Sequence, residues 1–391
     1  MRPTGRLHLG HYHGVLKNWI ELQQEYECFF FVADWHALTT EYEDPSIIEK
    51  SVWDMVIDWL AVGVNPGSAK LFIQSRVPEH AELHLLLSMS TPLSWLERVP
   101  SYKDQQEKLS DKDLTTYGFL GYPLLQTADI VIYKAGFVPV GEDQVSHVEL
   151  AREVVRRFNH IYGREPDFEK NIEAALKKIG KKTARLYDEL RRNYQEQGDA
   201  PSLEKARELL ASQQNISIGD RERLSGYLDG SGKAIFPEPQ ALLTPAPKMM
   251  GLDGQKMSKS YGNTISLREN PSVVEDKIKT MPTDPARVRL NDPGDPEKCP
   301  VWNLHKVYSD DSLKKWVIEG CTNAKIGCLD CKKPLIDAVL KEQEPIRDRA
   351  NEYLNDPETV RGIIAEGCDA ARDIARETLD DVREAMGLTY S

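Results

Sequence analysis

No stretch of this 391-residue chain stays apolar over the length that a membrane span requires. Residues 1–5 lack the apolar core of a secretion signal, so we expect a cytoplasmic protein without membrane contact. Positive charge is in the minority, because 50 Lys and Arg stand against 62 Asp and Glu and give a net charge of −12. This balance excludes a protein that coats nucleic acid without specificity. A local basic surface could still bind a nucleic acid.

The cysteines lack the two C-x-x-C pairs that zinc sites more often use. Four of the six fall within 33 residues, spaced C-x21-C-x6-C-x2-C, and they are Cys299, Cys321, Cys328 and Cys331. A disulfide framework is not expected in a cytosolic chain of this size, so the clustering indicates a metal site. Three states remain open from the spacing: a four-cysteine iron–sulfur cluster, a zinc ion, or free thiols. Cys28 and Cys368 are interpreted as ordinary buried thiols.

Two short motifs stand far apart in the chain. The first, PTGRLHLGH, occupies residues 3–11. Its histidines His8 and His11 lie at the start of a predicted helix, whose N-terminus favours anions. Gly10 between them has no side chain and would let a nucleotide approach closely. The motif is therefore predicted to hold a phosphorylated ligand.

The second motif, KMSKS, occupies residues 256–260 on a loop bordered by glycines. Lys256 and Lys259 supply positive charge, and a loop can close as the transition state forms, which is where charge stabilisation raises the rate. Together the two motifs are predicted to bind a nucleoside triphosphate while its α-phosphate is attacked. A substrate carboxylate as the attacking group would make a protein nucleophile unnecessary.

Apolar runs alternate with helical patterns in the first part of the chain, which is typical of a parallel sheet with crossover helices. Strands are predicted at 28–33 and 69–74, helices at 13–26 and 47–62, and a further sheet-type apolar run at 130–133. Polar residues 34–36 and 141–144 follow apolar runs, where ligands bind in open α/β sheets. We therefore expect an α/β fold with a Rossmann-type parallel-sheet catalytic domain.

A highly charged segment interrupts this domain at 163–235. Apolar residues at helical spacing predict a helical hairpin inserted on the surface. Residues 177–192 carry seven basic and two acidic side chains, which a solvated face explains better than RNA contact. The chain after residue 260 has amphipathic helical patterns. The predicted domains are 1–162 and 236–265 (catalytic, the second part with the KMSKS loop), 163–235 (helical insertion) and 266–391 (all-α).

The chain resembles the class I aminoacyl-tRNA synthetases, with residues 8–11 as their HIGH element and 256–260 as their KMSKS element. More narrowly, it resembles the bacterial tryptophanyl-tRNA synthetases. The matching segments are RPTGRLHLGHYHG (2–14), FVADWHALTT (31–40), YPLLQTAD (122–129), VPVGEDQ (138–144) and MMGLDGQKMSKS (249–260). The resemblance implies ATP- and Mg²⁺-dependent activation of L-tryptophan and its transfer to tRNA(Trp). It also implies a homodimer whose C-terminal helices recognise the anticodon.

The same resemblance assigns roles to individual residues. Catalysis falls to His8, His11, Lys256 and Lys259, with the lysines on the β- and γ-phosphates. The ATP-binding set is Arg2, Pro3, Thr4, Gly10, His11, Gly141, Glu142, Asp143, Met249, Lys256, Met257, Ser258, Lys259 and Ser260. The tryptophan-binding set is Asp129, Tyr122, His36, Gln144 and Lys103. Asp129 would accept the indole N–H, and Lys103 would reach the substrate phosphates. Without this context, Asp129 would be interpreted as a helix-internal salt bridge and His36 as a core histidine.

One branch of this family carries a [4Fe–4S] cluster in the helical domain, which the resemblance implies for the four clustered cysteines. Two other interpretations remain: a tyrosyl-tRNA synthetase, which shares the fold and both motifs, and an iron–sulfur RNA-binding or redox regulator derived from a synthetase. The family usually has a first strand and a Ser-Gly-Met before Arg2. We therefore expect Met1 to be an internal methionine and the first strand to be missing.

Overall fold

The computed structural model describes residues 1–100, 115–163, 167–230, 232–243 and 249–390, with only the backbone of Ser260. These residues form two compact units. The first comprises Met1–Arg76 and Thr244–Ala371, and the second comprises Val77–Leu243 and Arg372–Ser391.

The first unit contains a parallel pair of strands, β1 (Cys28–Val32) and β2 (Ala69–Ile73), in a register that runs from Cys28↔Ala69 to Val32↔Ile73. Helices Asp34–Glu41 and Ser46–Val62 connect them. The second of these ends at Gly63, whose φ of 112° suits a residue without a side chain. This is the crossover connection that parallel strands require, and it confirms the predicted strands and the helix at 47–62.

The N-terminal residue pairs with β1. The Met1 ammonium donates to the Phe31 carbonyl at 2.7 Å, and the Met1 carbonyl accepts from the Ala33 N–H at 2.8 Å. Within the described residues of the first unit, β1 and β2 are the strands of this sheet. The expectation about Met1 stays a prediction.

The first unit is otherwise mainly helical. Its further helical segments are Leu9–His11, a π-helix at Tyr12–Leu16, Lys17–Leu22, Pro271–Thr280, Pro300–Tyr308, Asp311–Thr322 and Cys328–Asn355, with short 3-10 turns at Gln74–Arg76, Lys259–Tyr261 and Pro296–Lys298. Helix Pro357–Ala385 begins in the first unit and ends in the second. Across the described residues, the helices are each too short or too polar to cross a membrane.

The second unit contains a second parallel pair, β3 (Phe137–Val140) and β4 (Gln240–Leu243). Its helices are Glu79–Ser88, Leu93–Glu97, Tyr117–Val131, Val145–Tyr162, Phe168–Lys178, Lys181–Gln197, Ala200–Ala211 and Ile218–Leu228, with a 3-10 turn at Glu142–Gln144. The apolar run at 130–133 was wrongly grouped with the sheet-forming runs, because it covers the end of helix Tyr117–Val131 and the turn that follows. Such a short run cannot be assigned to a strand or a buried helix from periodicity alone.

The charged segment contains more helices than the predicted hairpin. Helices Phe168–Lys178, Lys181–Gln197, Ala200–Ala211 and Ile218–Leu228 surround a core of their own. Tyr187 lies fully buried in this core and donates its hydroxyl to the Leu224 carbonyl at 2.6 Å. The insertion therefore buries its own apolar face.

Helix Pro357–Ala385 packs closely against the backbone of β2 at Gly367. A Cβ at Gly367 would lie 1.9 Å from the Leu71 carbonyl oxygen, whereas a Cβ at Gly362 in the same helix would meet nothing within 4 Å. We expect Gly367→Ala to lower the free energy of unfolding by roughly 1–3 kcal/mol, because helix and strand must separate. Gly362→Ala should leave it unchanged or raise it by up to about 1 kcal/mol. Urea unfolding of both variants checks this, and equal effects would contradict the packing.

Candidate active site

The HLGH segment begins the first helix of the chain. His8 is the N-cap residue of helix Leu9–His11, with extended backbone, and its side chain is buried. The His8 N–H donates to Nδ1 of His11 at 3.2 Å, and the two imidazole rings lie 3.8 Å apart. A Cβ at Gly10 would come within 2.9 Å of the His8 ring and 3.4 Å of Met257. Only glycine fits between the histidines and the KMSKS segment.

Backbone pairing joins this segment to the chain just after the KMSKS loop. The Leu9 N–H donates to the Ile265 carbonyl, and the Leu267 N–H donates to the Leu7 carbonyl, each at 3.0 Å. His8 and Ser266 form an antiparallel bridge. The two motifs recognised in the sequence therefore meet in one unit, as predicted.

Lys259 extends from the KMSKS loop to the first motif. Its Nζ donates to the carbonyls of Thr4 at 3.2 Å and Gly5 at 2.8 Å. Gly5 has a φ of 102°, a conformation that favours glycine. The sequence predicted that Lys259 and Thr4 serve one ligand, and the structure brings them into contact.

Burial lowers the pKa values of His8, His11 and Lys259. Burial and the nearby Lys259 ammonium lower the pKa of His8 to about 4, and burial, His8 and Lys259 hold the pKa of His11 well below its usual range. Burial lowers the pKa of Lys259 to about 8, although Asp58 opposes that shift. Near pH 7 both histidines are therefore neutral hydrogen-bonding groups, and Lys259 carries most of its positive charge.

The KMSKS loop is held by a residue that the motif does not include. Asn263 is buried, and its Oδ1 accepts from the Ser258 N–H at 2.8 Å while its Nδ2 donates to Asp253 and to the Lys256 carbonyl at 2.7 and 3.2 Å. Met257 is buried, and its N–H donates to the carbonyl of the buried Met249 at 3.0 Å. Lys256 is exposed. The loop thus presents one lysine inward and one outward.

A second support missed from the sequence lies beside the first motif. Asp58 is buried, accepts from Arg268 Nε at 2.6 Å and from the Leu7 N–H at 3.4 Å, and Arg268 also donates to Asp54 at 3.0 Å. Burial raises the pKa of Asp58 to about 6 against the opposing effect of Arg268. Nothing in the local sequence pairs these residues, which are 210 positions apart.

The other predicted residues divide between the two units. Arg2 is exposed, Pro3 is buried, and His36 is buried in helix Asp34–Glu41 of the first unit. In the second unit, Gly141 and the turn Glu142–Gln144 follow β3 directly, and Gln144 Nε2 donates to Asp143 Oδ2 at 3.3 Å. The position of this turn at the carboxyl end of a strand is as predicted. Lys103 lies outside the described residues.

Asp129 and Tyr122 lie on one helix, Tyr117–Val131, in the second unit. Both are buried. The Tyr122 ring lies 5.5 Å from Phe119 and 5.6 Å from His147, and Asp129 Oδ1 lies 2.7 Å from His80 Nδ1. Asp129 is therefore partnered by a buried histidine from another helix.

The four clustered cysteines lie near one another in the first unit, and none forms a disulfide. Cys299 precedes helix Pro300–Tyr308, while Cys328 and Cys331 lie in the first turn of helix Cys328–Asn355. Burial, together with the other three thiols of the group, raises the pKa of Cys331 to about 12. A metal-ion ligand group of three or more side chains is not formed among the residues that the structure describes.

Comparison with known proteins gives the family. Residues 1–180 and 203–342 match the family described as tRNA synthetases class I (W and Y). A tryptophan–tRNA ligase from Ralstonia nicotianae is 68% identical over 391 residues, covering 100% of this chain and 98% of the relative. One from Thermotoga maritima is 44% identical over 392 residues, with the same coverage. The structure of tryptophanyl-tRNA synthetase from Campylobacter jejuni complexed with ADP and tryptophan has a TM-score of 0.73 at 27% identity, covering 99% and 98% of the two chains.

The chain belongs to the class I tRNA synthetases of the W and Y type. The two relatives and the Campylobacter structure are tryptophan enzymes. The predicted fold class, α/β with parallel strands and a helical C-terminal region, is confirmed, and so is the prediction of an aminoacyl-tRNA synthetase. The domain limits and the individual site residues stay predictions.

The lowered pKa of Lys259 predicts an alkaline limit to ATP use. Because the ammonium is lost as pH rises through about 8, kcat/KM for ATP, which reports the free enzyme, should fall there. Lys259→Arg should be less active, because a planar guanidinium fits the two carbonyls poorly, but it should lose that fall because arginine stays charged. ATP–pyrophosphate exchange with saturating tryptophan, from about pH 6.5 to 9, measures this.

The control is Lys50→Arg, an exposed lysine in helix Ser46–Val62. It should keep the parent profile. An unchanged fall near pH 8 in Lys259→Arg would show that another group titrates.

Proposed function

We propose that the chain is a tryptophan–tRNA ligase. The carboxylate of L-tryptophan attacks the α-phosphate of ATP, which forms tryptophanyl-adenylate and releases pyrophosphate. The terminal hydroxyl of tRNA(Trp) then takes the tryptophanyl group and releases AMP. The observation that carries this function is the 68% identity to a tryptophan–tRNA ligase over the whole chain, combined with the contact between the first motif and the KMSKS loop.

ATP is proposed to bind in the first unit, where the first motif meets the KMSKS loop. Lys259 already donates to carbonyls of the first motif, so its ammonium lies where a phosphate could replace those acceptors. Lys256 is exposed and free to reach the terminal phosphates as the loop closes. His8 and His11, neutral at pH 7, would donate hydrogen bonds to the developing charge and not neutralise it. Mg²⁺ would accompany the triphosphate.

Recognition of the tryptophan side chain is proposed to depend on Asp129. Indole offers one hydrogen-bond donor, the ring N–H, and a carboxylate is an acceptor-only group that matches it. Tyr122, His36, Gln144 and Lys103 are proposed to complete the tryptophan site. Arg2, Pro3, Thr4, Gly141, Glu142, Asp143, Met249 and residues 256–260 are proposed for ATP. The enzyme is proposed to act as a cytoplasmic homodimer.

The four clustered cysteines are proposed to hold a [4Fe–4S] cluster. The donor set fits: the thiols are close enough to raise the pKa of one another, and a bound metal reverses that effect by stabilising thiolates. Arg287 supports the same region, because it donates to Cys321 Sγ at 3.7 Å and to the Ile326 carbonyl at 2.6 Å. The cluster would hold residues 300–333 in place for tRNA, with 266–391 as the anticodon-binding domain.

The substrate is tested by ATP–pyrophosphate exchange. Exchange should depend on tryptophan, and tyrosine should support it at least about a hundredfold less well, because the two side chains present different donors to the acceptor in the site. Exchange with tyrosine at the same efficiency would favour a tyrosyl-tRNA synthetase. Absence of exchange with either amino acid, in a protein that binds tRNA, would instead favour an iron–sulfur RNA-binding or redox regulator derived from a synthetase.

Cys328→Ser tests the role of the cysteines. It should lower tRNA charging by about tenfold or more while leaving tryptophan-dependent exchange within about twofold, because the cysteines are proposed to support the tRNA-binding region and are not among the residues proposed to bind ATP or tryptophan. Cys28→Ala, a change of a buried thiol in β1, is the control and should keep the parent's ratio of charging to exchange. Equal losses in both reactions would contradict the proposed role.

The identity of the bound group has its own measurement. Iron, acid-labile sulfide and visible absorbance should be present in protein purified without oxygen and reduced in Cys328→Ser, but unchanged in Cys28→Ala. Zinc at one equivalent, or no metal in either protein, would overturn the cluster.

A further inference from the structure

Asp129 is the first member of a buried chain of three side chains. His80 is fully buried, its Nδ1 lies 2.7 Å from Asp129 Oδ1, and its Nε2 lies 2.7 Å from the Tyr133 hydroxyl. The rings of His80 and Tyr133 meet edge to face, with centroids 5.4 Å apart and planes at 61°. Neither His80 nor Tyr133 belongs to a motif found in the sequence.

The helices of the second unit place these three residues. Asp129 lies in the last turn of helix Tyr117–Val131, and Tyr133 lies in the turn that directly follows this helix. His80 lies in the first turn of helix Glu79–Ser88, which packs against helix Tyr117–Val131. The histidine therefore stands between the carboxylate and the phenol.

The chemistry of the three groups determines the direction of the hydrogen bonds. An ionised carboxylate only accepts, so His80 Nδ1 carries the hydrogen and donates to Asp129. The Tyr133 hydroxyl can donate to Nε2 when Nδ1 carries the hydrogen, so this contact favours the tautomer with the hydrogen on Nδ1. Tyr133 thus selects the tautomer that presents a donor to Asp129.

We infer that His80 is the positioning residue of the tryptophan site, which holds the Asp129 carboxylate correctly oriented for the indole N–H, with Tyr133 fixing the histidine tautomer. The inference rests on the proposed role of Asp129. A buried carboxylate is costly without a hydrogen-bonding partner, and a charge-assisted bond to a rigid imidazole supplies one. A recognition group works only when a second layer of residues holds its geometry.

Two substitutions of His80 separate its two hydrogen bonds. His80→Asn places an amide donor near the position of Nδ1 and keeps the bond to Asp129. His80→Gln places its amide near Nε2, keeps a partner for Tyr133 and loses the bond to Asp129. A merely structural role in core packing would make the two variants similar, or would favour the larger glutamine.

The readout is discrimination for the indole N–H. It is the ratio of kcat/KM for tryptophan to kcat/KM for the analogue whose ring N–H is replaced by sulfur, measured by ATP–pyrophosphate exchange. We expect His80→Gln to lower kcat/KM for tryptophan and this ratio by about ten- to hundredfold, with KM for ATP within about twofold of the parent. His80→Asn should retain the ratio within about fivefold, and Tyr133→Phe should lower it by about two- to tenfold.

The proposal is overturned if His80→Gln keeps the parent ratio, or if His80→Asn loses as much of it as His80→Gln. Asp129→Ala is measured alongside, because a ratio that survives this change shows that the proposed role of Asp129 itself has failed. A ratio that collapses in Asp129→Ala but not in His80→Gln overturns only the role of His80. His160→Gln, at an exposed position of helix Val145–Tyr162, is the control and should match the parent. Thermal melting confirms that each variant is folded, and Tyr133→Phe, which removes one oxygen, keeps the test decisive if a His80 variant unfolds.

Discussion

The pairing of residues 7–9 with residues 265–267 is the constraint on which the motif cluster depends. It joins segments about 250 residues apart, and closing a chain of that length costs about 5 kcal/mol of entropy. Two backbone hydrogen bonds return only about 1–3 kcal/mol. Burial decides the balance, because Leu7, Leu9, Ile265 and Leu267 are all nearly inaccessible and such side chains contribute roughly 1.5–3 kcal/mol each. Apolar residues on either side of His8 and Ser266 therefore hold residues 7–9 in register with residues 265–267. The position of His8 is determined by these neighbours.

The electrostatics of the cluster follow from that burial. An ammonium loses hydration when Lys259 packs against the first motif, and the carbonyls of Thr4 and Gly5 replace only part of it, so its pKa falls to about 8. A triphosphate would replace these neutral acceptors with charged ones. The lysine then interacts more strongly with the reacting phosphates than with the protein. The Lys259 ammonium is already partly desolvated before ATP reacts, so its surroundings need not reorganise when the transition state forms. This is the condition for catalysis by electrostatic stabilisation.

The sequence predicted those parts of the structure that depend on local pattern. The strands at β1 and β2, the helix at 47–62 and the meeting of two motifs follow from apolar runs and from residues whose chemistry is recognisable alone. The run at 130–133 failed because a short apolar segment fits both a strand and a helix. Asn263, Arg268 and His80 could not be found, since each acts on a group that only the fold brings near. Burial, which makes His8 and His11 neutral, is also a property of the fold and not of the motif.

Asp58 in the first unit and Asp129 in the second unit are held in position in the same way. Each is a buried carboxylate, and each is held by a cationic or imidazole partner from another segment: Arg268 at 2.6 Å and His80 at 2.7 Å. Removing one member of such a pair costs far more than the pair contributes, because the remaining buried group loses the partner that offset its desolvation. The pairs therefore act as geometric restraints more than as sources of net stability. Asp58 restrains the backbone at Leu7 and with it the HLGH segment, while His80 restrains a carboxylate whose acceptor direction decides what it can bind. In both, the supporting residue determines the geometry of the group that the sequence motif makes visible.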